Sequence, residues 1–112
     1  MEYGLWIAGT QVTSENCNNI SNFEGVSGRV SYDPDSRTLT LDNATITVKD
    51  TGWEGIYITE KEQELTIKLI GSNTIITNKQ RGIYNHQHLT IKGVTSDATL
   101  TVENLNTKDW QN

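Results

Sequence analysis

Cysteine is nearly missing from this chain of 112 residues: Cys17 stands alone, so no internal disulfide can form and no thiol pair exists for a redox motif or a zinc site. A catalytic thiolate needs a base arranged beside it, and the neighbours Asn16, Asn18 and Asn19 supply none, so Cys17 reads as a free structural thiol. No apolar run approaches the roughly 20 residues of a membrane-spanning helix. Met1-Glu2-Tyr3-Gly4-Leu5 has neither the basic nor the apolar segment of a secretion signal, and the chain reads as a segment of a larger protein. Positive charge is scarce as well. Nine lysines and arginines against fourteen acidic residues give a net charge of -5, which repels phosphate backbones; with no basic run to offset it, nucleic acid is excluded as a partner, as is membrane insertion.

The chemistry of catalysis is equally thin. No nucleophile motif of the G-x-S-x-G kind occurs. Arg29, Arg37 and Arg81 are the only arginines, and none lies in a recognisable cluster of acidic ligands that would let it act as a calcium-assisted lyase base. Asp33 and Asp35 flank Pro34, but the strict calcium-loop pattern is absent and two such carboxylates serve as turn formers. His86 and His88 have the spacing to point the same way on a strand, yet no third ligand accompanies them. The expectation is a protein that is not an enzyme, with no catalytic residues, no metal site and no cofactor, calcium elsewhere in the fold being the one cofactor considered.

What is present is order and repetition. A composition 34% hydrophobic with a single proline is too rich in β-branched residues for a disordered tail, and the length suits one domain. Leu39-Thr40-Leu41-Asp42, Leu65-Thr66-Ile67-Lys68 and Leu89-Thr90-Ile91-Lys92 share one pattern at offsets of 26 and 24 residues. Each is followed by a threonine-rich block: Asn43-Ala44-Thr45-Ile46, Ser72-Asn73-Thr74-Ile75 and Asp97-Ala98-Thr99-Leu100. Gly55-Ile56-Tyr57 and Gly82-Ile83-Tyr84 precede the second and third copies. Apolar and polar residues alternate within these blocks, the period of a strand buried on one face, so one repeat is three short strands.

Repeats of that size, stacked like upon like, predict an all-β fold: a short right-handed parallel β-helix, the alternative being an antiparallel β-sandwich. In the β-helix, Leu39, Leu65 and Leu89 form one inward file, Leu41, Ile67 and Ile91 a second, and Ile46, Ile75 and Leu100 a third. Outward, Thr40, Thr66 and Thr90 align, as do Asp42, Lys68 and Lys92. The domain spans 1–112. Residues 1–37 form an N-terminal cap of hairpins, with Ala8-Gly9 and Asp33-Pro34-Asp35-Ser36-Arg37 as turns and Trp6 and Phe23 as cover. Residues 38–104 are the repeated coils, and 105–112 a polar tail that makes a poor lid.

The strings Leu5-Trp6-Ile7-Ala8-Gly9-Thr10-Gln11-Val12-Thr13-Ser14, Gly28-Arg29-Val30-Ser31-Tyr32-Asp33-Pro34 and Thr38-Leu39-Thr40-Leu41-Asp42-Asn43-Ala44-Thr45-Ile46 carry a family likeness. Across nearly its whole length the chain resembles repetitive β-helix domains, labelled carbohydrate-binding, in secreted and surface proteins of anaerobic and gut bacteria. One clostridial branch is similar to pectate lyases in fold and is reported to bind plant cell-wall polysaccharides. The resemblance implies an extracellular or cell-surface location and a non-catalytic polysaccharide-binding module joined to other domains of a parent chain. A structural spacer or adhesin is the alternative, and a polysaccharide lyase the third reading.

Tyr57 and Tyr84 occupy equivalent places after inward isoleucines, so alternation turns both rings outward, one beside the other. Sugar rings present apolar C–H faces that lie well on such rings while polar neighbours bind the hydroxyls; Trp53, Asn85 and His86 are the candidates for that part. The same pair also serves as a plain structural ladder, since stacked aromatics stabilise adjacent strands without any ligand.

Overall fold

The computed structural model describes residues 2–48, 54–59, 64–78, 82–85 and 88–104. They form ten strands: β1 Glu2–Ile7, β2 Thr10–Thr13, β3 Val26–Asp33, β4 Thr38–Thr47, β5 Ile56–Ile58, β6 Glu64–Ile70, β7 Ser72–Thr77, β8 Ile83–Asn85, β9 His88–Gly93 and β10 Thr99–Asn104. The only helical element among them is a 3-10 turn at Ile20–Asn22, so the described chain is all-β.

Both turns expected near the N-terminus close hairpins. β1 and β2 pair antiparallel with Ile7 opposite Thr10, and Ala8 and Gly9 both take positive φ (52° and 87°), the two-residue turn whose twist matches that of the flanking strands. β3 and β4 pair antiparallel with Asp33 opposite Thr38. The Asp33 carboxylate holds that turn, accepting from the Asp35 N–H at 3.0 Å and the Ser36 hydroxyl at 3.1 Å.

The repeated segments run parallel, not antiparallel as a sandwich requires. β4 pairs with β6 and β6 with β9; β4 pairs with β7 and β7 with β10; β5 pairs with β8. Two sheets result, a four-stranded one in the order β2-β1-β5-β8 and a six-stranded one in the order β10-β7-β4-β6-β9 with β3 on β4.

Corners explain why a six-stranded sheet contains two files of strands. β4 turns at Asn43, which has φ 50°, and β6 passes into β7 at Gly71, which has φ 71°. The two corners lie on each other: a Cβ at Gly71 would meet the end of the Asn43 side chain, and the φ of 71° is one that favours glycine. β3 bends alongside at Gly28, φ 83°, where a Cβ would press into the backbone of Asn43 and Ala44.

Corner on corner sets the register, and it differs from the one the repeated motifs suggest. Leu39 stands opposite Ile67, and Ile67 opposite Ile91, while Leu65 pairs with Leu89 and Leu41 with Leu69. On the other wall Ile46, Ile75 and Val102 are in register, with Leu100 opposite Asn73. Of the expected files Leu39–Leu65–Leu89, Leu41–Ile67–Ile91 and Ile46–Ile75–Leu100, the pairs Leu65–Leu89, Ile67–Ile91 and Ile46–Ile75 hold; the steps from β4 to β6 and from β7 to β10 are each offset by two, which corrects the files to Leu39–Ile67–Ile91, Leu41–Leu69 and Ile46–Ile75–Val102. An offset of two residues keeps every side chain on its face, because the strand period is two, so the inward set is unchanged.

The core is aliphatic, with Leu5, Ile7, Ile20, Leu39, Ile46, Ile56, Ile58, Ile67 and Ile75 fully buried. Its two ends differ. At the β3 edge, the Tyr32 N–H donates to the Cys17 carbonyl at 2.9 Å and the Val30 N–H to the Ser21 hydroxyl at 3.0 Å, so the segment carrying buried Cys17 and the 3-10 turn covers that edge. At the other end Ile91, Val94 and Val102 are 47, 52 and 49% exposed. The tail at 105–112 lies outside the described residues.

Candidate functional site

Leu5, Ile7, Ile56 and Ile58 are buried, so the residues between them turn to the outer face of the four-stranded sheet. There Trp6 on β1 stands opposite Tyr57 on β5, and Tyr57 opposite Tyr84 on β8. The Trp6 and Tyr57 rings are 5.6 Å apart between centroids and inclined at 50°. Tyr57 and Tyr84 are stacked at 5.5 Å with planes 19° apart. All three are half-buried, which leaves part of each ring to solvent. The outcome is a strip of three adjacent rings, one from each of three neighbouring strands.

The expected neighbours divide. Tyr57 and Tyr84 come together as the alternation requires. Asn85 does not join them: it stands opposite Ile58, the next residue after Tyr84, and successive strand residues face opposite sides. Its predicted place beside the rings is corrected on that ground. Trp53 and His86 lie outside the described residues. His88 opens β9 opposite Glu64. Among the described residues no group of three or more histidine, cysteine, aspartate or glutamate side chains converges as metal ligands would.

Trp6 is the residue that sequence reasoning placed elsewhere, as cover for the end of the fold. A signal was there to be used. Leu5-Trp6-Ile7 has the same apolar–aromatic–apolar order as Ile56-Tyr57-Ile58, and both begin Leu or Ile, aromatic, Ile. The motif was hidden because β1 runs antiparallel to β5 and so lies outside the repeat.

Chemically, the strip combines three adjacent aromatic rings, Tyr57 and Tyr84 stacked on each other and Trp6 tilted against them, with the phenolic hydroxyls of the two tyrosines. Such a surface suits the apolar face of a sugar or another flat ligand, held by dispersion and C–H contacts. No helix among the described residues is long and apolar enough to cross a membrane. No protein-family model, curated protein or solved structure matches this chain.

Proposed function

We propose that the chain is a non-catalytic polysaccharide-binding module of a secreted or cell-surface bacterial protein, built as a short right-handed parallel β-helix with an N-terminal hairpin cap. The single observation that carries the binding reading is the Trp6–Tyr57–Tyr84 strip. Three rings packed against one another on neighbouring strands are held in place before a ligand arrives, and preorganisation reduces the entropy lost on binding. The β-helix reading draws support from the parallel pairing of like segments, each repeat contributing three strands. Right-handedness follows from the rule that about 98% of crossovers between parallel strands take that hand.

The test is retention in affinity gels and binding on a glycan array. Tyr57→Ala and Tyr84→Ala are expected each to weaken binding about tenfold, equivalent to the loss of one stacking partner of about 1.4 kcal/mol, with circular dichroism unchanged. Trp6→Ala is expected to do the same. A wild-type chain that retains no glycan, or variants that bind as well as wild type, would remove the strip from consideration.

A spacer or adhesin role is the second reading, and a different observation favours it. The exposed Ile91, Val94 and Val102 end the stack on unburied apolar residues, as in a unit that continues into further structure.

A further inference from the structure

The outer face of the six-stranded sheet carries rows of side chains that the register brings together. Ser31, Thr40, Lys68 and Lys92 stand side by side across β3, β4, β6 and β9, and Asp33, Thr38, Thr66 and Thr90 form the next row. Most of these residues line a concave groove of about 490 Å³. It lies on the six-stranded sheet, whereas the aromatic strip belongs to the four-stranded one.

Lys68 and Lys92 are the anomaly. Neighbouring strands are about 4.8 Å apart, and like charges directly opposite each other are destabilising. In the register that the repeated motifs alone suggest, Asp42 would complete this row and offset part of the charge. The two-residue offset moves Asp42 away, to a place between Arg29 on β3 and Ile70 on β6. Asp33, the one acid lining the groove, is engaged by the Asp35 N–H and the Ser36 hydroxyl of its own turn. Among the described residues neither lysine has an ion-pair or hydrogen-bond partner. On a chain of net charge -5, a groove is thus lined by two lysines from directly opposite positions on adjacent strands, beside a row of hydroxyls and with Asp33 tied into its own turn.

We propose that this groove binds a dianionic oxyanion of the phosphate-monoester type carried by a hydroxyl-rich ligand, that is, a phosphorylated saccharide. Charge selects the class. A phosphate monoester carries about -1.5 to -2 at neutral pH and presents three acceptor oxygens, enough for both ammonium groups, whereas a single carboxylate leaves one of them uncompensated. Lysine binds phosphate as a point charge and needs no planar fork. The hydroxyls of Thr40, Thr66 and Ser31 are placed for the remaining oxygens and for sugar hydroxyls. The saccharide half of the proposal rests on the polysaccharide reading above; the oxyanion half does not.

The experiment is an NMR titration of the full chain with four probes: inorganic phosphate, glucose 6-phosphate, glucuronate and glucose. The Lys68 and Lys92 side-chain signals are expected to shift saturably with both phosphates, about tenfold more tightly than with glucuronate, and not with glucose. Lys68→Gln and Lys92→Gln are each expected to weaken phosphate binding about tenfold, while Tyr57→Ala leaves it unchanged. Phosphate that shifts neither lysine, or that binds the double glutamine variant equally well, overturns the site. Equal affinity for inorganic phosphate and glucose 6-phosphate overturns the saccharide half alone. Loss of glycan retention in the tyrosine variants with phosphate binding intact separates failure of this site from failure of the strip.

Discussion

Replacing Ile67 with alanine is expected to lower the unfolding free energy by about 2–5 kcal/mol, whereas Ile91→Ala, at the next position of the same file, is expected to cost under about 1 kcal/mol. The chemistry of the two changes is the same, and burial is the difference. Ile67 is fully buried between Leu39 and Ile91, while Ile91 is 47% exposed. Deleting methyl and methylene groups from a position packed on both sides leaves a cavity that the stiff strands above and below cannot close, and the cavity adds to the lost transfer free energy. At the open end the void fills with water, and little is lost. Ile75 and Val102 form the matching pair on the other wall, with Ile75 fully buried and Val102 49% exposed. Urea unfolding of the four alanine variants measures the gradient directly. Equal costs for Ile67 and Ile91 would mean that Ile91 is covered in solution.

Asn73→Ala is expected to cost roughly 2–4 kcal/mol, a large effect for one polar side chain. Asn73 is 1% exposed at the inner side of the corner. Its carbonyl oxygen accepts from the Ala44 N–H at 2.8 Å, and its amide nitrogen donates to the Ile70 carbonyl at 3.2 Å and to the Gly71 and Thr99 carbonyls at 3.4 Å each. One side chain therefore bonds β4, its own corner and β10. Alanine leaves the buried Ala44 N–H without its acceptor and the Ile70 carbonyl without the Asn73 donor, while the Gly71 carbonyl keeps the Thr99 N–H at 2.9 Å; each buried group left unsatisfied costs about 1–3 kcal/mol. Asn73→Asp keeps the acceptor but loses the donor and buries a charge, and is expected to cost at least as much. Hydrogen exchange at Ala44 provides an independent readout, since its amide should lose protection in both variants. Protection equal to wild type would mean that another group takes over the bond.

The split between what was legible and what was not follows the range of the forces involved. Alternation in Leu65-Thr66-Ile67-Lys68 and its copies determined which residues face the core, because the two-residue period of a strand is a local property and survives any shift by two. Gly9 determined a tight turn, since glycine takes positive φ without steric cost, whereas Ala8 at φ 52° is held there by the pairing of β1 with β2. The equivalent places of Tyr57 and Tyr84 in the two GIY motifs determined that they meet. Tertiary structure alone decided that Leu39 lies beside Ile67, because corner contacts among Gly28, Asn43 and Gly71 set the offset between β4 and β6 and no single strand contains that information. The same offset parted Asp42 from Lys68 and Lys92. It was likewise the fold that brought Trp6, from outside the repeat and running the opposite way, to the edge of Tyr57, and that put Asn73 on β7 where β4 and β10 both bond its side chain. Side-chain facing is dictated residue by residue along one strand; neighbours across strands are dictated by the packing of the two sheets as a whole.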